Sequence, residues 1–152
     1  MQSKHKPNLR LVMIGFSLIL PVSSFAALGG DVASVQADQA HMRAQRQVTQ
    51  ATGYTVHEMK AETGTTVREF VSPEGKVFGV SFAGPTRPDL KQLLGSYYDE
   101  YEQNAPTRRT FHPVTIETPN MVVQFGGHPR ALTGRAYVPG MVPQGVRIEE
   151  IR

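Results

Sequence analysis

The stretch TTVREFVSPEGKVFGVSF, residues 65–82, decides the fold because it contains two strands and the turn that joins them. Residues 65–71 and 76–82 alternate in polarity and are rich in β-branched and aromatic side chains, which is typical of half-buried strands. Between them, Ser72-Pro73-Glu74-Gly75 places serine first, proline second and glycine last, as suits a type I turn. The stretch is therefore predicted to form an antiparallel hairpin.

The turn also predicts a register for this hairpin. With Gly75 in the left-handed position of a bulged turn, Phe70 faces Phe78 and Val71 faces Val77 across the two strands. Side chains two residues apart in a strand point to the same face of a sheet. One buried face is then predicted to contain Phe70, Phe78, Val80 and Phe82.

A helix is predicted after the hairpin, over residues 89–103 (DLKQLLGSYYDEYEQ). Its apolar and aromatic residues recur with helical spacing and form one face. These residues are Leu90, Leu93, Leu94, Tyr97, Tyr98 and Tyr101. Asp89 is suited to cap the first turn, and Pro85 and Pro88 exclude an earlier start.

A second, less regular helix is predicted before the hairpin, over residues 31–49. Asp31 or Ser34 can cap its start, and Gly53 marks its end. The apolar stripe of this helix consists of Val32, Val35 and Met42. Because the stripe is narrow and interrupted, we expect the helix to pack loosely or at an edge.

The remaining strands follow from the same alternation of polarity. They are predicted at residues 54–60, 110–117, 121–125 and 131–138, with turns at 118–120 and 126–129, a loop at 139–145 and a short strand or turn at 146–151. The predicted order is α-β-β-β-α-β-β-β. Runs of hairpin-linked strands separated by helices indicate a single α+β domain, with an antiparallel sheet and helices packed on one face.

A constant shift of 55 residues relates the two halves of this pattern. The matching positions are Val67, Phe70, Val77, Gly79 and Phe82 with Val122, Phe125, Leu132, Gly134 and Tyr137. Such a shift is consistent with an internal duplication, and equally with the general similarity of strand sequences.

Residues 1–26 have the three parts of a secretory signal peptide. Three basic residues precede an apolar run, residues 11–20, and a segment that begins with Pro21 and ends at Ala26. The run has half the length that a membrane-spanning helix needs. We expect cleavage between Ala26 and Ala27, which leaves residues 27–152 as one exported domain. The alternative is an uncleaved membrane anchor.

The predicted cleavage changes the charge of the protein. The full chain has a net charge of +3, but three of its 16 Lys and Arg precede Ala27, whereas all 13 Asp and Glu follow it. The exported part is formally neutral and lacks the positive surface typical of nucleic-acid binding. The absence of cysteine excludes disulfides, thiol catalysis, zinc–cysteine sites and a lipid-anchored cysteine.

Two loops combine a constrained backbone with a cationic side chain. Residues 84–88 (GPTRP) carry Arg87, and residues 126–130 (GGHPR) carry His128 and Arg130. Rigid loops that bear arginine or histidine suit recognition of a carboxylate or of a partner's acidic group. The glycines and prolines are also explained if these loops simply form turns.

Tyr98 and Tyr101 of the predicted helix 89–103 are further candidates for binding. Tyrosine is enriched at protein interfaces. Tyrosines at helical spacing are also typical of core boundaries, where the hydroxyl reaches water. Both interpretations stay open at the level of sequence.

Catalytic motifs are weak in this chain. Residues 79–83 (GVSFA) nearly match the G-x-S-x-G nucleophile elbow, and Ser81, Asp99 and His112 follow in hydrolase order. However, Ala83 replaces the last glycine, and Ser81 lies within a predicted strand. No two histidines have metal-site spacing, and no phosphate-binding glycine motif occurs. The sequence therefore predicts no metal and no cofactor, and it favours a protein that is not an enzyme.

Four segments carry a resemblance to a known family: ALGGDVASVQAD (27–38), YTVHEM (54–59), VREFVSPEGKVFGVSFAGPTRPDLKQLLGSYYDEY (67–101) and GRAYVPGMVPQGV (134–146). Together they resemble the exported bacterial family named domain of unknown function 2844. The resemblance implies export and one compact domain, and it brings no catalytic residues. Members are similar to small periplasmic or surface accessory proteins, so the resemblance favours a protein partner.

These observations predict a non-enzymatic accessory or binding protein of the bacterial envelope, periplasmic or at the surface. The expected partner is another exported or envelope protein, with neither nucleic acid nor a membrane span after signal removal. The candidate binding residues are Arg87, Tyr98, Tyr101, His128 and Arg130. Two alternatives remain: a small-ligand binder or minor hydrolase that uses the loop His and Arg or Ser81, and a structural component of a surface assembly.

Overall fold

The computed structural model describes residues 28–106 and 113–152. The described strands, numbered in chain order, are β1 Gln45–Ala51, β2 Tyr54–Lys60, β3 Thr66–Val71, β4 Val77–Gly84, β5 Val114–Glu117, β6 Val122–His128 and β7 Ala131–Tyr137. The helices are α1 Val32–His41, α2 Leu90–Leu94 and α3 Tyr98–Asn104, with 3-10 turns at Gly95–Tyr97, Pro139–Met141 and Ile148–Glu150.

The seven strands form one sheet in the order β1-β2-β3-β4-β7-β6-β5, and every pairing is antiparallel. The sheet thus consists of two meanders, β1 to β4 and β5 to β7, joined where β4 pairs with β7. The predicted α+β class, the single domain and the antiparallel sheet are confirmed. One strand more than predicted precedes the second helical segment.

The two faces of the sheet are covered differently. On the helical face, Val35 of α1 and Leu93 of α2 pack with sheet residues such as Val80 in the larger core cluster. On the opposite face, Ile151 packs with a smaller cluster that includes Phe78. We call residues 138–152 the C-terminal strap and the face that they cover the strap face. The helices therefore lie on one face, as predicted.

The β3–β4 hairpin forms as predicted, but its register is shifted by one residue. Val71 pairs with Val77 as expected, whereas Phe70 pairs with Gly79 because a bulge interrupts the ladder. The bulge turns Phe70 and Phe78 to the strap face, while Val80 and Phe82 stay on the helical face. The prediction that these four side chains share one face is wrong, since the extra residue reverses the alternation.

The predicted helix over residues 31–49 is wrong in its second half. Asp31 caps α1, and its side chain accepts from the backbone N–H of Ser34 at 3.1 Å. The helix ends at His41, and Arg43 follows with a positive φ of 47°. Residues 45–51 then form β1, which sequence reasoning missed.

The second helical segment lies where it was predicted, but it is broken in the middle. Asp89 caps α2 and accepts from the backbone N–H groups of Lys91 at 2.9 Å and Gln92 at 3.3 Å. Gly95, with a φ of 51°, separates α2 from α3 through one 3-10 turn. No helix in the described part of the chain is long and apolar enough to span a membrane.

The second meander matches the predicted strands with one changed turn. The strand predicted over residues 110–117 is β5 from Val114 onward, and its first three residues lie outside the described part. The turn expected at residues 126–129 is wrong, because β6 continues to His128 and reverses at Pro129-Arg130.

The shift of 55 residues does not correspond to a duplication. Val67 lies on the helical face, but its counterpart Val122 lies on the strap face. Phe70 and Phe125 are exchanged in the opposite sense. A duplicated unit would keep its buried side chains on one face, so the matching positions reflect the general similarity of strands.

Candidate functional site

The two loops singled out from the sequence lie at the same end of the sheet. Gly84, the last residue of β4, pairs with Leu132 of β7. Leu132 in turn pairs with Gly127 of β6, next to the turn that carries His128 and Arg130. The antiparallel ladder thus brings the chain around Arg87 and the β6–β7 turn to one edge.

A cleft of about 300 Å³ opens at this end, between the C-terminus of α1, the β2–β3 turn and the start of α2. Apolar side chains form much of its lining, including Met42, Val67 and Leu93. Arg87 and His41 add two basic side chains to the lining. The cleft therefore combines an apolar surface with cationic groups, as ligand sites commonly do.

Hydrogen bonds from Thr65 hold one wall of the cleft in place. The Thr65 hydroxyl donates to the backbone oxygen of Thr86 at 2.8 Å and accepts from the backbone N–H of Thr86 at 3.2 Å. Gly84 permits this approach, since a Cβ atom there would lie 2.5 Å from the Cα of Thr65. The loop that carries Arg87 is thus fixed to the start of β3.

Arg87 continues into an aromatic cluster. Its guanidinium carbon lies 4.7 Å from the centre of the Phe125 ring, a cation–π contact. Tyr101 meets the same ring edge-on at 5.9 Å, and Tyr98 lies 5.9 Å from Tyr101. Three of the predicted binding residues, Arg87, Tyr98 and Tyr101, are therefore connected through Phe125, which the sequence analysis did not single out.

His128 and Arg130 are placed apart from the cleft lining. Both side chains are exposed, His128 at the end of β6 and Arg130 in the turn, where its φ is 66°. They lie at the same end of the sheet as Arg87 but do not line the cleft. The structure thus separates the five candidate residues into a connected group of three and an exposed pair.

A pair of buried carboxyls lies behind the cleft. Asp38 of α1 and Glu69 of β3 are fully buried and close enough for their carboxyls to share a hydrogen bond. Gln92, which lines the cleft, donates its side-chain amide to Asp38. When both carboxyls are ionised, three of their four oxygens have no donor among the described residues.

The electrostatics of this pair follow from burial. Burial raises the pKa of Asp38 to about 6, partly offset by the hydrogen bonds from Glu69 and Gln92. Burial and the neighbouring Asp38 hold the pKa of Glu69 well above its ordinary value. Two such groups side by side cannot both ionise without a large cost. Glu69 therefore retains a proton that it donates to Asp38.

His57 and Arg46 flank the pair from β2 and β1. His57 is buried and lies directly opposite Glu69 in the ladder. Burial, reinforced by the charge of Arg46, lowers the pKa of His57. The cluster therefore holds neutral groups where an acid–base pair with opposite charges might be expected.

Sequence reasoning missed this cluster, although a signal was present. Glu69 lies between Val67 and Val71 at a period of two, so it occupies an inward position of the strand. Asp38 follows Val35 by three residues, which places it on the buried side of α1. An acid at a core-facing position of both elements was the available signal.

The structure also places Ser81, the candidate nucleophile. Ser81 is buried in the middle of β4 on the strap face, and it pairs with Arg68 on one side and Arg135 on the other. A nucleophile elbow needs an exposed strand-to-helix turn, which this position does not have. Asp99 belongs to α3 on the other face, and His112 lies outside the described residues.

The two arginines beside Ser81 hold the strap. Arg68 donates to the Glu58 carboxylate at 2.7 Å and to the backbone oxygen of Arg152 at 3.0 Å. Arg135 donates to the Gln124 side chain at 2.7 Å and to the backbone oxygen of Ile148 at 3.0 Å. These contacts give Arg68 and Arg135 a structural role. Within residues 28–106 and 113–152, no group of three His, Asp or Glu is placed to hold a metal ion.

Comparisons with known proteins give a family for this chain. Neither the comparison with curated proteins nor that with solved structures found a match. A sequence model described as "Protein of unknown function (DUF2844)" matches residues 24–151. The match spans nearly the whole described chain, including every residue of the cleft and of the buried pair, and the protein belongs to this family.

Proposed function

We propose that this protein is a non-enzymatic, exported binding protein whose cleft receives a segment of another envelope or secreted protein. The observation that carries the proposal is the cleft itself, an apolar hollow with Arg87 in its lining. Such a site suits an apolar side chain that is followed by a carboxylate, either of an acidic residue or of a chain terminus.

The size and charges of the cleft support this kind of ligand. A volume of about 300 Å³ is at the lower limit for pockets that enclose small molecules, and it suits one or two side chains. Asp89 also lines the cleft, but its carboxylate already accepts two backbone N–H groups at the start of α2. Arg87 therefore supplies a charge that a carboxylate can meet.

The aromatic cluster extends the proposed contact surface. Phe125 orients Arg87, and Tyr98 and Tyr101 continue from it as half-buried rings. Tyrosine and arginine are the residue types that most often dominate binding energy at protein interfaces. A partner that inserts a side chain into the cleft would meet these rings at the rim.

Export is part of the proposal. Its support is the sequence of residues 1–26, with a basic start, a short apolar run and small residues before Ala27. Removal of this segment leaves a formally neutral chain, which argues against nucleic acid as the partner. We propose the periplasm as the main location, and the cell surface or the medium as the alternative.

The test is site-specific photo-cross-linking in the producing cells. A photoreactive residue at Thr63, in the cleft lining, should give one recurring protein adduct, whereas Thr133, exposed on β7, is the matched control. Arg87→Met keeps the length of the side chain and should abolish the adduct, while Arg87→Lys should retain part of it. Arg130→Met, outside the cleft, should have no effect.

Two results would contradict the proposal. One is an adduct that forms equally well from Thr133, and the other is an adduct that Arg87→Met leaves unchanged. An adduct that adds only a small mass to the chain would instead support a small-ligand binder, since the volume of the cleft also fits a small molecule.

The hydrolase alternative receives no support from the positions of its residues. Ser81 pairs with Arg135, which lies four residues along β7 from Ala131, the partner of His128. At about 3.3 Å per residue, Ser81 and His128 are separated by about 13 Å along the sheet. We therefore propose binding and not hydrolysis.

A further inference from the structure

Strand β1 forms an open edge of the sheet. It pairs with β2 over all seven of its residues and without a register shift, and no described strand pairs with its other side. Six of its seven side chains are exposed. Its outward backbone N–H and C=O groups therefore form a regular template for another strand.

This edge lacks the features that usually protect such strands. Natural edge strands carry lysine, proline or a bulge, or are covered by another element. The sequence of β1, QRQVTQA, has no proline, lysine or acid, and Arg46 is its one charge. Val48 is 48% exposed, more than any other large apolar side chain among the described residues. The strand is thus long, regular and nearly uncharged.

We propose that β1 pairs antiparallel with β1 of a second copy of this chain, about a twofold axis at Val48. The two sheets would then continue into one another across the interface. Pairing of identical strands in this way is self-complementary and closes at two copies, as in most homodimers. The proposal concerns a surface separate from the cleft and does not depend on the function proposed for it.

The sequence of β1 fits this register. Pairing centred on Val48 places Val48 opposite Val48, which covers the exposed apolar side chain in both copies. Gln47 then faces Thr49, and Arg46 faces Gln50, whose side-chain oxygen can accept from the guanidinium. All seven residues are paired, and the two arginines are not opposed.

Other registers are less favourable. A centre at Arg46 places the two like charges directly opposite each other, which is destabilising, and it pairs fewer residues. A centre at Gln50 also shortens the pairing and leaves Val48 beyond the last paired residue of the partner's β1. The Val48-centred register is therefore the one that combines full length with a compatible set of side chains.

The absence of cysteine from the chain makes a sharp test possible. In the proposed dimer, the Cα atoms of directly opposed residues are about 4.5–5.5 Å apart, within the range of a disulfide. Val48→Cys should therefore cross-link two copies readily under mild oxidation. Gln50→Cys is the matched control on the same strand and face, since its two copies would be about 13 Å apart.

The oligomeric state of the unmodified protein gives the second measurement. Sedimentation of the full, processed protein should show a dimer whose fraction rises with concentration, and Val48→Lys should reduce that fraction at least tenfold by opposing two charges. A protein that stays monomeric up to about 1 mM would overturn the proposal. Equal cross-linking of Val48→Cys and Gln50→Cys would also overturn it, because the register would then be wrong.

Discussion

Glu69→Gln should make the stability of this protein less dependent on pH. Buried Glu69 keeps a proton in the folded state that the unfolded chain releases above its ordinary pKa of 4.5. The folded state then binds one more proton than the unfolded state, so the free energy of unfolding falls as pH rises. Glutamine has the shape of the protonated acid and can donate to Asp38 in its place, but it does not titrate.

The magnitude follows from proton linkage. Each pH unit over which folded Glu69 retains its extra proton lowers the free energy of unfolding by about 1.4 kcal/mol. Asp38 adds a loss of about 3 kcal/mol, because its pKa rises from 3.8 to about 6, and this loss is complete just above pH 6. We therefore expect Glu69→Gln to gain at least about 1.4 kcal/mol over wild type between pH 6 and pH 8.

His57 acts in the opposite direction but cancels from the comparison. Burial lowers its pKa, so His57 lowers the stability of the folded state as pH falls below 6.5. Both proteins contain this residue and Arg46 beside it. The difference between variant and wild type therefore reports the buried carboxyl.

Urea unfolding followed by far-ultraviolet circular dichroism, at half-unit steps from pH 5 to pH 8.5, measures this difference. The method suits a chain without tryptophan. Glu62→Gln, in the exposed β2–β3 turn, is the control and should follow wild type at every pH. Parallel curves for wild type and Glu69→Gln would refute the reasoning, since Glu69 would then be ionised in the folded protein.

Three further predictions concern packing and capping. Gly134→Ala should lower the free energy of unfolding by about 1–3 kcal/mol in chemical denaturation, since its Cβ would lie 2.6 Å from the Phe125 ring, whereas Gly140→Ala, with open space around it, should have little effect. Asp89→Ala should cost about 1 kcal/mol in the same assay, while Asp89→Asn should cost less because it keeps the cap; equal losses would contradict the capping role. Ser81→Ala should leave stability unchanged or raise it by about 1 kcal/mol, because the buried hydroxyl has no partner among the described residues, and a clear loss of stability would show that it has one.

The hairpin and the second helical segment could be predicted from sequence because their signals are local. The Ser72–Gly75 turn, the alternation of β3 and β4 and the cap at Asp89 each depend on a few neighbouring residues. β1 was missed because an edge strand exposes both faces, so QRQVTQA contains no alternation to detect. Its polar residues instead extended the pattern of the preceding helix.

The site was less predictable because its contacts join distant parts of the chain. Arg87 was correctly placed on a constrained loop, but its contact with Phe125 spans 38 residues and depends on the order of β4, β7 and β6. The Asp38–Glu69 pair combines a helix with a strand 31 residues away, and a carboxylate is ordinarily assigned to the solvent side. The one-residue shift at Phe78 likewise depends on packing against the strap and not on the turn.

The joint between β4 and β7 has a consequence for how the chain folds. Within each meander, neighbouring strands are joined by short turns, but the β4–β7 pairs link residues 48 to 58 positions apart. Closing so long a loop costs entropy before any contact compensates for it, so we expect this step to limit the folding rate. The cost grows only with the logarithm of loop length. A flexible insertion between α3 and β5 should therefore slow folding slightly and leave the final stability within about 1 kcal/mol of wild type.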